Sequence, residues 1–238
     1  MPNGESPTAH RASRLQLYYG GTFDPFHNGH LAIARAARDA FRVPVRLMPA
    51  ADPPHRAPPG ATAAHRAHLL DVAVRGEPGL CVDRRELRRA EREPDGRSYT
   101  VDTLRELRAE CGDTVPVALL IGADSLLGLP TWREWRALFG LAHFIVAERP
   151  GSPLEDALPA DLAGALADRW APRPGDLERS PAGRVYRLDQ PLQPESATEI
   201  RRRIAAGAPW RDLVPAAVAD AIADERLYAP RAAGAGPL

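Results

Sequence analysis

Gly20-Gly21-Thr22-Phe23-Asp24-Pro25-Phe26-His27-Asn28-Gly29-His30 stands between an apolar run, Leu15-Gln16-Leu17-Tyr18-Tyr19, and a periodic stretch from Leu31 to Phe41. The run reads as a buried β-strand and the stretch as an amphipathic helix. A strand, a glycine turn and a helix start in that order make a pocket for anions. Glycines let the backbone approach a ligand closely, and free N–H groups at the helix start point toward negative charge. His27 and His30, three residues apart, share a face of any helical turn. A phosphate pocket, a metal clasp and a plain βα turn with incidental histidines all fit these residues. The His-Glu-x-x-His pattern of zinc proteases is absent, as is G-x-G-x-x-G. The P-loop is excluded because the chain has no lysine.

A chain of 238 residues can build a substantial α/β core in one domain or two. Its 44% hydrophobic and 26% charged content is that of an ordinary globular protein. Thirty-one basic residues balance 31 acids, so no global field recruits nucleic acid or membrane. Cys81 and Cys111 lack metal-motif spacing and are expected as buried thiols in a reducing compartment. No run is long and apolar enough to span a bilayer, and the N-terminus lacks an apolar signal core. The expectation is a cytoplasmic protein. Nothing in the sequence sets an oligomeric state.

Along the chain, residues 1–13 are polar and read as a flexible leader. Val43 to Met48 is a second strand. Pro49 to Gly60 carries five prolines and must be an extended loop at a strand's C-terminal end, where ligands bind in open α/β sheets. Within it, His55-Arg56 alone would read as a solvated pair. Ala61 to Arg75 is helical, with His65 and His68 near its surface. Leu80-Cys81-Val82 begins a strand. Asp83 to Gly96 is dense in charge and reads as a solvated connection that moves, as does the Pro53–Pro59 loop. A helix follows to Cys111 and stops at Gly112, with Ser98 as its candidate N-cap.

Val115 to Ile121 has the near-continuous apolar character of a central parallel strand. Gly122-Ala123-Asp124-Ser125 ends it. Asp124 suits ribose hydroxyls or a helix N-cap, and one carboxylate can serve as both. Trp132 and Trp135 follow, Trp135 reading as core. His143 to Ala147 is another strand, Leu154 to Trp170 a helix, and Val185 to Leu188 the last strand. Ser196-Ala197-Thr198-Glu199-Ile200-Arg201 sets hydroxyls and backbone N–H groups at a helix start with an arginine within a turn, a second anion site. Strands alternating with helices give an α/β fold with a mostly parallel sheet flanked by helices. The expected unit is a single domain over 14–229, helical from about 196 to 229, with a second flexible tail at 230–238.

The opening stretch resembles the signature of the nucleotidyltransferases with a His-x-Gly-His motif, and is most similar to that of the bacterial nicotinate-nucleotide adenylyltransferases. Pro54-His55-Arg56, Ser98-Tyr99-Thr100, Ile121-Gly122-Ala123-Asp124, Pro130-Thr131-Trp132, Arg149-Pro150-Gly151 and Ser196 to Arg201 resemble further family motifs in the family's order. Glu195 departs from the family's usual aliphatic residue, and Ala221 from its usual tyrosine. The resemblance implies a Rossmann-like nucleotidyltransferase fold with a small helical C-terminal part. It implies transfer of the adenylyl group of ATP to nicotinate mononucleotide, giving deamido-NAD and pyrophosphate in NAD biosynthesis.

By the same resemblance, His27, His30 and Arg201 are catalytic, and Gly20, Gly21, Thr22, Phe23, Gly29, Gly122, Asp124, Ser196 and Thr198 hold ATP. His55, Arg56, Thr100, Trp132 and Arg149 hold the mononucleotide, Trp132 by stacking on the pyridine ring and Thr100 by a hydrogen bond. Arg56 differs in geometry from the lysine found in other members. Mg²⁺ is expected to ride mainly on the ATP phosphates, with no protein metal site. The alternative is a sister adenylyl- or cytidylyltransferase acting on nicotinamide mononucleotide or another phosphorylated acceptor. A nucleotide-binding regulator without catalysis is the third possibility.

Overall fold

The computed structural model describes residues 15–51, 59–93, 98–148, 158–191 and 194–230. The tails at 1–13 and 231–238, most of the Pro53–Pro59 loop and the stretch 94–97 lie outside them. Six strands form one sheet: β1 (Gln16–Gly21), β2 (Val45–Pro49), β3 (Leu80–Val82), β4 (Val117–Gly122), β5 (His143–Ala147) and β6 (Val185–Arg187). Their order is β3-β2-β1-β4-β5-β6, and every neighbouring pair is parallel. Helices α1 (Asn28–Phe41), α2 (Ala63–Val74), α3 (Arg85–Arg92), α4 (Thr100–Cys111), α5 (Ala123–Leu127), α6 (Trp135–Leu141), α7 (Ala160–Leu166), α8 (Ala197–Ala205) and α9 (Ala216–Asp224) complete it.

The inner strands β1, β2, β4 and β5 are largely buried on both faces, and alternation divides their side chains between two cores. Leu17, Tyr19, Ala118, Leu120, Ile145 and Ala147 join one cluster with residues of α1, α2, α8 and α9. Tyr18, Val117, Leu119, Ile121, Phe144 and Val146 join the other with residues of α4, α6 and α7. Trp135 is core, 8% exposed and edge-on to Phe139. The C-terminal helices pack on the first cluster through Ile200, Val218 and Ile222. The strand order reverses between β1 and β4, and a crevice opens at their C-terminal ends.

Several local expectations change. The charge-dense segment after Asp83 is not a solvated connection: residues 85–92 form α3, with Arg85, Glu86, Leu87 and Arg89 buried. Its charges find partners, Arg85 on Asp83 at 2.7 Å and Glu86 on the Ser98 and Thr103 hydroxyls. Ser98 therefore does not cap α4, whose N-cap is Tyr99. α1 begins at Asn28 rather than Leu31, because His27 caps it. The helix expected from Leu154 to Trp170 is shorter, Ala160–Leu166, and Trp170 instead bridges to Val185. Cys81 is exposed and Cys111 half-buried, so neither is the buried thiol expected. No described helix is long and apolar enough to cross a membrane.

Candidate active site

The first turn of α1 is closed by its two histidines. His27 Nδ1 accepts from the His30 backbone N–H, and His30 Nδ1 accepts from the His27 backbone N–H, each at 3.4 Å. An Nδ1 that accepts carries no proton, which leaves Nε2 as the ring nitrogen of each imidazole able to donate. The rings stack with centroids 3.7 Å apart. Phe26 stacks on His30 from the other side, and Phe23 meets it edge-on. The aromatic packing fixes both imidazoles, at 1% and 9% exposure. No acidic residue lies in the first turn of α1, so none within the helix offsets its N-terminal dipole.

The crevice is a cavity of about 350 Å³ at the ends of β1, β4 and β5. Gly20, Gly21, Thr22, Phe23 and His30 line one side; Gly122, Asp124, Ser196, Thr198 and Arg201 line the rest. Gly21 is obligatory there, since a Cβ would sit 2.8 Å from the Phe23 ring. Phe23 itself is held at φ 51°, left-handed backbone that an aromatic residue adopts only when packing imposes it. Asp124 is in the first turn of α5 but does not cap it; Gly122 is the N-cap and the carboxylate is exposed on the cavity wall. Ser196 caps α8 by accepting from the Glu199 N–H at 3.2 Å. Glu199 turns to Arg202 and Arg203, whose hydrogen bonds hold its carboxyl down at about 2.

Asp24, assigned no role from sequence, joins the two anion sites. Its carboxylate is 5% exposed and accepts from the Gly60 N–H at 2.7 Å, the Ala61 N–H at 3.1 Å and the Tyr228 hydroxyl at 2.8 Å. Arg201 Nη1 lies 3.4 Å from the same carboxylate and donates to the Asp24 carbonyl, while its Nη2 reaches Thr198 Oγ1. Burial, then the Asp24 charge, pushes the Tyr228 phenol well above its ordinary range. A Cβ on Gly60 would meet both Arg201 and Tyr228 at 3.0 Å. Arg66, fully buried on α2, donates to the carbonyls of Thr22, Ala51 and Ala61, tying the glycine turn to the ends of its neighbours. Arg66 and Tyr228 carry no sequence signal as site residues, because their partners are distant. Asp24 had one: it is the single acid inside the opening motif.

His27 and Gly29 are buried behind the cavity wall, His27 acting as the helix cap. Thr100 and Trp132 lie off the cavity, on the α4–α6 side. Arg133, next to Trp132, stands 4.9 Å over the Tyr99 ring, which joins the start of α4 to the tryptophan turn. His55, Arg56 and Arg149 fall outside the described residues. Among the described residues no group of three metal-ligating side chains occurs.

Residues 18–203 match the family model described as cytidylyltransferase-like. A relative from Stenotrophomonas maltophilia (strain K279a), named "Probable nicotinate-nucleotide adenylyltransferase", is 62% identical over 90% of this chain and 96% of its own. The chain belongs to the nicotinate-nucleotide adenylyltransferase family. A relative of the same name from Xylella fastidiosa (strain 9a5c) is 46% identical over 90% of this chain and 96% of its own. The Plasmodium falciparum nicotinic acid mononucleotide adenylyltransferase complexed with NaAD has a TM-score of 0.66 over 90% of this chain and 97% of its own. At 13% identity that likeness concerns the fold alone. In this adenylyltransferase, Glu195 is half-buried, and its Oε2 finds no hydrogen-bond partner among the described residues. Ala221 lines a shallow groove of about 390 Å³ between α2 and α9.

Proposed function

We propose that the protein transfers the adenylyl group of ATP to nicotinate mononucleotide, forming deamido-NAD and pyrophosphate. A 5′-phosphate oxygen of the mononucleotide attacks the α-phosphorus of ATP in line, and the bond from that phosphorus to the bridging oxygen of the β-phosphate breaks. Catalysis is positioning and charge stabilisation, with no covalent enzyme intermediate.

The observation that carries this reading is the pairing of two helix starts across one cavity. His30 lies at the first, and Ser196, Thr198 and Arg201 at the second. With Nδ1 of each ring engaged by the capping pair, the Nε2–H of His30, which lines the cavity, is the donor for the phosphate oxygens on which charge builds. His27 supports it from behind by capping the turn and stacking on its ring. Arg201, held by Asp24 and Thr198, stabilises the polyphosphate from the opposite side. Gly20 to Phe23, on the cavity wall, let the phosphates approach the backbone, with Gly29 in the helix turn behind them. Gly122 and Asp124 receive the ATP ribose. Thr100 and Trp132, joined through Tyr99 and Arg133, read and stack the pyridine ring, and His55, Arg56 and Arg149 contact the mononucleotide.

Asp24 is engaged by Arg201, Tyr228 and two amides, and Asp124 is the cavity's other carboxylate. This donor set fits Mg²⁺ held mainly by the ATP phosphates and water, where it neutralises phosphate charge. The catalytic unit spans 14–229, and its setting is the cytoplasm. Pyrophosphate release from ATP, measured with nicotinate mononucleotide, nicotinamide mononucleotide and phosphopantetheine in turn, tests the assignment. Turnover should be fastest with nicotinate mononucleotide. ATP binding without turnover on it would overturn the reading.

A further inference from the structure

The first turn of α4 has no side-chain cap, yet it is held by a buried relay. Arg89 Nη2 donates to Ser98 Oγ at 2.7 Å and to Thr103 Oγ1 at 2.6 Å. Ser98 Oγ donates in turn to Glu86 Oε2 at 3.0 Å, and Thr103 Oγ1 to Glu86 Oε1 at 2.9 Å. Each hydroxyl offers its single proton to the carboxylate and a lone pair to the guanidinium, the Tyr99 carbonyl at 3.4 Å being a longer second acceptor for Thr103. The carboxylate also accepts a backbone hydrogen bond from Ala51, two residues beyond the end of β2. Arg89 Nη1 meets Glu106 at 2.9 Å, anchoring the relay farther along α4. Thr103 is fully buried, and Glu86 and Arg89 are 9% exposed. Burial pushes the Glu86 carboxyl up, while the hydroxyls and Arg89 pull it down.

The two hydroxyls straddle Thr100, one before the helix start and one on its first turn. The same turn presents Tyr99 to Arg133, beside Trp132. None of the four relay residues lines the ATP cavity. We propose that Glu86 and Arg89 are positioning residues for the acceptor mononucleotide. Through Ser98 and Thr103 they fix the backbone that aims Thr100 at the pyridine ring, and through Ala51 they hold the chain where it leaves β2. The proposal rests on the assignment of Thr100 and Trp132 to the mononucleotide. Because the relay stands away from the triphosphate site, its loss should fall on one substrate only.

The test is steady-state kinetics of full-length Glu86→Gln, Thr103→Val, Thr103→Ser and Ser98→Ala, varying each substrate separately, with thermal unfolding of each variant. Glu86→Gln and Thr103→Val should raise KM for nicotinate mononucleotide about tenfold while KM for ATP stays within about twofold. Thr103→Ser keeps the hydroxyl and should restore the wild-type value. Should Glu86→Gln fail to fold, Ser98→Ala removes one arm from the half-buried side and should show the same one-sided rise. An unmoved KM for the mononucleotide, or equal rises in both KM values, would reduce the relay to a stabilising contact and overturn the proposal. Wild-type protein without turnover on nicotinate mononucleotide would instead sink the proposed function, and this proposal with it.

Discussion

The hydroxyl of Tyr228 donates to Oδ1 of Asp24 at 2.8 Å, across 204 positions of sequence. It ties the chain beyond α9 to the glycine turn after β1. A hydrogen bond to a charged acceptor contributes about 1.5–3 kcal/mol, and this half-buried one belongs at the lower end. Tyr228→Phe should therefore lower the unfolding free energy by about 1.5 kcal/mol, read as a reduced urea midpoint at constant slope. An unchanged midpoint would mean that the bond contributes nothing net.

Gly60 lies where a Cβ would press on Arg201 and Tyr228 together. Arg201 cannot yield freely, since Asp24 and Thr198 hold its guanidinium. Gly60→Ala should cost about 1–3 kcal/mol of stability through overpacking. It should also raise KM for ATP, because the displaced arginine is the one proposed to hold the polyphosphate. Normal KM for ATP in a destabilised variant would separate Gly60 from nucleotide binding.

His30 lines the cavity, whereas His27 caps the helix behind it. His30→Ala removes a preorganised donor, for which a loss of about 10²–10³ in kcat is expected. The fold should persist, because His27 still caps the helix, and circular dichroism can check that. Near-normal kcat would refute the assigned role.

Raised phenols make stability fall at alkaline pH, and Tyr18 and Tyr228 are the two most buried of them. Burial, followed by the Cys111 charge, pushes Tyr18 up to about 12, against Arg46 and Arg85, and Tyr228 is also raised. In the unfolded chain both ionise near 10.0. Above that pH the unfolded chain has released protons that the native state keeps, so the equilibrium shifts toward unfolding. The contribution is complete below pH 10 and, for Tyr18, declines by about 1.4 kcal/mol per pH unit until about 12. Urea titrations across this window should show a shallower decline for Tyr18→Phe. Parallel curves would contradict the shift.

What the sequence made legible was local. An apolar run, two glycines and a periodic stretch specify β1, its turn and α1 through neighbours in the chain. The same holds for β4 and β5, whose apolar runs announce strands buried on both faces. The Asp83 to Gly96 stretch misled because charge density shows how many ions are present but not whom they meet. Glu86 and Arg89 are buried together only because Ser98 and Thr103, on the next element, stand between them. Arg66 and Tyr228 were silent for a related reason: a lone arginine among carbonyls and a lone tyrosine on a carboxylate have no periodicity to find. Even the alternatives for Asp124 needed coordinates, which show Gly122 in the capping place.

The hub at Asp24 also imposes an order in time. Asp24 leaves the ribosome early, but Arg201 and Tyr228 follow it by 177 and 204 residues. Until they emerge, the carboxylate has only the Gly60 and Ala61 amides for company. A nascent chain that ends before Arg201 contains the residues of all six strands and still lacks the arginine that lines the cavity. The cavity between the two helix starts is thus complete only late in translation, after the strands that frame it.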